Sequence, residues 1–254
     1  MTSNRTVQRA IDFLVYIAAH PGGVSMDELC EYFSIPRTSA YVILVTLVQS
    51  GMLEVISGNR QLYRTGILAY QIGMSYPDAS DELKLIGSSL HELAVKSDRT
   101  AFFGKLSGDK VLYLLKEVPE NPIITTATVG STAPLYCTSL GKTLLTYLPE
   151  EETAGLLNQM EFLPRTERTI HSQEQLLAEL SLTRSRGYAM DFREYEDHMV
   201  CVSAPIYRRD GSLAGAVSIS GFYRPEDDYE TYGRLIRQEA AEISRLLGYR
   251  KDNP

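Results

Sequence analysis

The chain has 254 residues, 44% hydrophobic and 22% charged, enough for two modest domains with real cores and unlike a disordered or fibrous protein. No run approaches the roughly 18 apolar residues of a membrane helix, and Met1–Arg5 opens no apolar leader, so a cytoplasmic protein with no membrane partner is expected. The net charge of −7 argues against a uniformly basic nucleic-acid binder, but the charge is uneven: residues 1–66 hold five basic and five acidic side chains, and the remainder carries the whole excess.

From Thr6 to Ala19, Val7, Ala10, Ile11, Leu14, Ile17 and Ala18 recur at helical spacing and form one apolar stripe. His20-Pro21-Gly22-Gly23 breaks it. Ser25-Met26-Asp27-Glu28 then has the form of a capping box opening a short second helix that ends near Phe33-Ser34. Pro36 suits the first position of a third helix running to Ser50, with Ile43, Leu44, Leu47 and Val48 inward and Gly51 as its stop. Two β-like stretches, Leu53–Ile56 and Gln61–Arg64, flank a turn at Ser57-Gly58-Asn59-Arg60. Three helices with a short middle one, then a hairpin, is the order of a winged helix-turn-helix. Any three-helix interaction module shares this periodicity. What favours DNA is the start of the third helix, where Arg37, Thr38, Ser39 and Tyr41 are placed to meet bases and phosphates, with Arg60 and Arg64 on or beside the wing.

Gly66 to Ser75 reads as a linker helix, interrupted by Tyr76-Pro77-Asp78-Ala79-Ser80, so the organisation expected is 1–65, 66–78 and 79–254. A helix from Asp81 turns Leu83, Ile86, Leu90, Leu93 and Ala94 inward. Thr100–Leu106 and Lys110–Glu117 form a hairpin around Ser107-Gly108-Asp109, and Ile123–Val129 is a third strand candidate. Helices follow at Ser139–Leu148, Glu150–Gln159 and Ser172–Arg186. Strands are expected at Tyr188–Phe192, Met199–Tyr207 and Leu213–Ser220, and a last helix starts at Pro225-Glu226-Asp227-Asp228. The pattern is an α+β sensor domain built on an antiparallel sheet.

Two sets of residues carry a resemblance to a known family. In the first half they are Arg9-Ala10-Ile11-Asp12-Phe13-Leu14, Pro21 to Leu29, and Ile35-Pro36-Arg37-Thr38-Ser39. In the second they are Pro134 to Lys142, Arg186 to Asp191, Cys201 to Ile206, and Gly215 to Gly221. Nearly the whole chain thereby resembles the IclR family of transcriptional regulators. The resemblance implies a winged helix-turn-helix, a linker helix and a GAF-like effector-binding domain. It implies dimers, associating further into tetramers, a double-stranded DNA operator, and a small-molecule effector such as an organic acid or related metabolite. The matching effector positions are Ser139, Leu140, Asp191, Cys201, Ser218 and Ser220. Residue chemistry agrees: a helix opening at Ser139 presents free amides to a carboxylate, and Ser218 and Ser220 share one face of a strand. Taken alone, those serines fit a half-exposed strand, Asp191 a turn, and Cys201 a core.

Two departures stand out. Val42, with Val45 a turn later, occupies the place of an arginine in the family's recognition helix. Phe192–His198 lacks the family's basic-acidic pair and later glycine, so that His198 either narrows the pocket mouth or decorates a loop. A rival reading keeps the fold as a ligand sensor with weak or no sequence-specific DNA binding. An enzyme is disfavoured: Asp191, His198 and Cys201 have the types of a triad, but lie within eleven residues, and no nucleophile elbow or phosphate loop accompanies them. Cys30, Cys137 and Cys201 lack metal-site or disulfide spacing and read as small core residues, so no metal and no cofactor are expected.

Overall fold

The structure, a computed structural model, describes residues 4–56, 61–78, 80–120, 122 and 125–250, with backbone alone for Pro77 and Asp78. Contacts divide the chain into two compact units, Met1–Ser80 and Asp81–Pro254.

In the first unit, α1 (Arg5–Ala18) opens where the Asn4 side chain accepts the amides of Thr6 and Val7. β1 (Val24–Ser25) leads into α2 (Met26–Tyr32), whose capping box is complete: Glu28 N–H donates to Ser25 Oγ at 3.3 Å, and Ser25 N–H to Glu28 Oε2 at 2.7 Å. α3 (Arg37–Gln49) begins one residue later than expected. Pro36 has an extended ψ of 140° and serves as N-cap, because the residue flanking a helix start keeps non-helical geometry. β2 (Leu53–Ile56) and β3 (Leu62–Thr65) pair antiparallel, and β3 also pairs with β1. The wing therefore has three strands in the order β1-β3-β2. The turn expected at residues 57–60 lies outside the described residues. Phe13, Ile17, Leu29, Ala40, Leu44 and Leu53 form the core between helices and wing, where full burial of a large apolar side chain contributes about 1.5–3 kcal/mol. The unit closes with α4 (Ile67–Asp78), which runs through Tyr76 instead of stopping before it.

The second unit is a six-stranded antiparallel sheet in the order β6-β5-β4-β9-β8-β7. Its strands are β4 (Thr100–Ser107), β5 (Lys110–Glu117), β6 (Thr132–Pro134), β7 (Ala189–Phe192), β8 (Met199–Tyr207) and β9 (Leu213–Phe222). Hairpins β4–β5 and β8–β9 meet where β9 pairs with β4. The strand expected at Ile123–Val129 is absent over its described part, 125–129; the third strand of this edge is the shorter β6.

Both sheet faces are covered. On one, Ile86, Leu90 and Leu93 of α5 (Asp81–Ser97), with Ile236 and Ile243 of α9 (Tyr229–Leu246), pack on Phe103, Val217 and Ile219. On the other, Leu140 and Leu144 of α6 (Ser139–Tyr147), Leu157 of α7 (Glu150–Asn158) and Leu176 of α8 (Gln173–Arg186) pack with Phe102, Tyr113 and Ala216. Strand alternation sends Phe103 to one core and Phe102 to the other. α9 starts at Tyr229, four residues after Pro225, because Asp228 is the cap that accepts the amides of Glu230 and Thr231.

Candidate effector pocket and DNA-contacting face

In β9, Val217 and Ile219 face α5 and α9, so Ser218 and Ser220 face the α6 side. Neither is half-exposed: both are buried, because helices cover both faces of the sheet. The register places Asp191 opposite Cys201 and Cys201 opposite Ser220, one polar row across β7, β8 and β9. The Cys201 thiol donates to Ser220 Oγ at 3.1 Å. The neighbouring row carries Ser203, Ser218 and Phe102.

The opening of α6 faces this row. Thr138 caps the helix by accepting the Gly141 amide at 3.2 Å, while the first amides of a helix, here Ser139 and Leu140, have no intrahelical acceptor. Gly141 lets the helix start this close to the preceding segment: a Cβ there would lie 2.4 Å from the Leu135 carbonyl oxygen.

These elements enclose one cavity. All six sequence-predicted positions, Ser139, Leu140, Asp191, Cys201, Ser218 and Ser220, line it. Sequence reasoning missed other members: Phe102 and Tyr113 on the sheet, Thr125 and Thr126 from the segment after β5, and Tyr195, Glu196 and Met199 around the β7–β8 turn. Only tertiary folding brings these together, and none had a local signal. At the mouth, the Thr126 hydroxyl donates to the Glu196 carboxylate. The free space is small, about 40 Å3, against the roughly 10–15 Å3 needed to hold one water molecule. His198 is exposed, sits against Phe222 with ring centroids 5.7 Å apart and does not line the cavity, so it decorates the loop.

The electrostatics are distinctive. Asp191 accepts amide hydrogen bonds from Glu194 at 2.8 Å and Tyr195 at 3.3 Å. Burial nevertheless pushes its pKa up to about 7, against the pull of Lys142. Burial and the nearby Asp191 also push the Cys201 thiol up, opposite to the shift that activates a nucleophilic cysteine. Cys201 is partly exposed and hydrogen-bonded, not the plain core residue expected, whereas Cys137 is fully buried. Behind the cavity, the fully buried Lys142 donates to Glu194 at 2.6 Å, tying α6 to the β7–β8 turn. Among the described residues no basic side chain lines the cavity. Its positive pole is the start of α6 and its negative pole is Asp191 with Glu196.

On the first unit, the outer side of α3 exposes Arg37, Thr38, Tyr41 and Val42, with Ser39 and Val45 half-buried. Arg37 is ion-paired to Asp27, and Arg64 on β3 to Glu54 at 2.5 Å. All four side chains are at least half exposed, and such pairs contribute at most about 1 kcal/mol, so a phosphate can displace either carboxylate. Arg60 lies outside the described residues.

A winged helix-turn-helix in one unit, and a sheet with a small polar cavity in the other, define the class of ligand-responsive DNA-binding regulators. Residues 6–56 match the family model for the IclR helix-turn-helix domain, and residues 76–245 the model for the bacterial transcriptional regulator IclR C-terminal domain. The chain belongs to the IclR family: it is a DNA-binding transcriptional regulator with a C-terminal effector-binding domain. It is 25% identical over 248 residues to the HTH-type transcriptional regulator KipR of Bacillus subtilis, covering 97% of this chain and 98% of the relative. Among solved structures, the Thermotoga maritima IclR superposes with a TM-score of 0.70 at 30% identity, covering 96% of this chain and 99% of that one. The Alicyclobacillus acidocaldarius regulator shares the fold at TM-score 0.83 and 21% identity, over 97% and 100% of the two chains. No helix among the described residues is long and apolar enough to cross a membrane.

Proposed function

We propose that the protein acts as a cytoplasmic homodimer whose effector is a small hydroxylated organic acid held between the start of α6 and the Asp191–Cys201–Ser220 row. The observation that supports this is the pairing of two opposite poles across one cavity. The amides of Ser139 and Leu140 suit a carboxylate; Asp191, Ser218 and Ser220 suit hydroxyls. The free volume lies far below the roughly 300 Å3 of a pocket for a drug-sized ligand, so the effector is small and its arrival parts Thr126 from Glu196.

On DNA, Arg37, Thr38, Ser39 and Tyr41 read bases and phosphates from α3, and Arg60 and Arg64 neutralise phosphates from the wing. The dimer forms through α1 and α4: Val7, Ile11 and Val15 make an exposed stripe on α1, and Ile67, Tyr70 and Met74 are exposed on α4. The domain limits that follow are 1–65 for DNA, 66–78 for the linker helix and 79–254 for the effector. No catalytic step is assigned, consistent with the raised Cys201 thiol.

Calorimetry of the full chain against a panel of two- to six-carbon hydroxy and oxo acids tests this reading, together with Asp191→Ala. Saturable binding of one acid, lost in the variant while DNA binding persists, supports the division of labour; equal loss of both contradicts it. The paired Arg37 and Arg64 and the apolar Val42 favour one rival, a sensor without specific DNA binding. It predicts no enriched site and the same affinity for unrelated DNA fragments, since non-specific binding also falls with salt.

A further inference from the structure

A second cleft lies in the sheet unit and shares no lining residue with the effector pocket. It opens to about 1330 Å3 between the end of β8, α9 and the segment 248–250. Small side chains line it: Ala240, Ala241 and Ser244 of α9 and Ala204 of β8. Its walls carry Arg209, Arg237, Arg245 and Arg250 and, among the described residues, no acidic one, in a chain where acids outnumber bases by 32 to 25. Arg245 is balanced by Glu242 at 2.6 Å. Arg237 spends one N–H on the Arg186 carbonyl at 3.2 Å. Arg209 and Arg250 form no ion pair among the described residues. Three positive charges thus face one cleft with no carboxylate in its walls among the described residues.

The same cleft is aromatic. Tyr207 and Tyr249 lie with centroids 5.1 Å apart and rings inclined by 30°, and Tyr147 meets Tyr207 edge-on at 6.2 Å. Guanidinium groups pair bidentately with phosphate oxygens, and a tyrosine ring offers a face for stacking. A carboxylate ligand alone would leave the aromatic wall unused; an apolar one would leave three arginines facing it.

We propose that this cleft is a second ligand site, taking a small phosphorylated molecule with a planar ring, of the nucleoside di- or triphosphate class. The ring lies against Tyr249 and the phosphates meet Arg209, Arg237 and Arg250.

The test is calorimetry of the full chain with ATP, tripolyphosphate and adenosine as separate probes. ATP is expected to bind saturably, with tripolyphosphate and adenosine each at least about tenfold weaker. The double variant Arg209→Ala/Arg250→Ala removes two exposed side chains that form no ion pair among the described residues, so the fold is expected to survive it. It is expected to weaken ATP at least about tenfold. Tyr249→Ala is expected to weaken ATP but not tripolyphosphate. Circular dichroism and titration with the same panel of hydroxy and oxo acids report whether the fold and the first pocket are intact in these variants. Absence of saturable ATP binding overturns the proposal, as does binding unaffected by the arginine variant. A change of oligomeric state in that variant, without nucleotide binding to the wild type, also overturns it and assigns the cleft to contact with a second copy.

Discussion

At the scale of single residues, Asp191 is the most informative side chain. Its pKa is raised to about 7, chiefly by burial, so the folded chain keeps a proton that the unfolded chain releases at about 4. The stabilising contribution of that proton is fully present below the unfolded value and is lost as pH rises through about 7. Asp191→Asn removes this dependence. Melting curves are therefore expected to show the variant gaining on the wild type from about pH 4 to about pH 7; a constant difference contradicts the assignment. An effector hydroxyl that donates to Asp191 favours the carboxylate, so effector affinity is expected to rise with pH through about 7 and then level off. A fall over that range would mean that Asp191 donates instead. Val42 offers a second residue-scale test. It is exposed on α3, and Val42→Arg is expected to tighten DNA binding at low salt and steepen the salt dependence by about one contact per protomer. An unchanged slope places Val42 away from phosphate.

At the scale of elements, the buried Lys142–Glu194 pair holds α6 against the β7–β8 turn, and with them the two poles of the effector pocket. Lys142→Met leaves the Glu194 carboxylate without its cation, and a loss of about 3–5 kcal/mol in urea denaturation is expected. Lys142→Met/Glu194→Gln should recover most of that loss. A single-variant loss under about 1 kcal/mol would show the pair to be incidental. On α1, Ile11→Lys places a charge in the exposed stripe and is expected to convert dimer to monomer in sedimentation at micromolar concentration. A variant that still sediments as a dimer moves the interface elsewhere. What the sequence made legible follows the range of its signals. Ser25 and Glu28 are three residues apart and announce their own cap. Period-two alternation in β9 puts Ser218 and Ser220 on one face before any contact is known. Lys142 and Glu194 are 52 residues apart, and no local pattern connects them. β1 has two residues, too few for any periodicity. The β-branched run in 123–129 is strand-like by propensity, yet over 125–129 the chain forms no strand and β6, three residues ending in proline, takes the edge. Tertiary pairing overrides propensity there. The six positions that the family resemblance pointed to line one cavity, while Tyr195, Glu196 and Met199 required the fold.

At the scale of the whole molecule, the chain separates two electrostatic tasks. The helix-turn-helix unit is neutral over residues 1–66, so on the proposed reading its attraction for DNA rests on a few arginines that exchange local carboxylates for phosphates. The C-terminal unit carries the net negative charge, and the proposed effector cavity within it has one positive pole. In the proposed dimer, effector binding alters DNA affinity only as far as it favours one arrangement of the two recognition helices over another. The most direct test of this account is selection of genomic DNA fragments by the purified full chain, followed by affinity of the enriched site across a salt series. With Arg37, Arg60 and Arg64 of both protomers on phosphates, log affinity is expected to fall against log salt with a slope of about −5, on a site with two-fold related halves. A flat salt response, or no enriched site from a folded protein, would contradict the assignment of α3 and the wing as the DNA-contacting face.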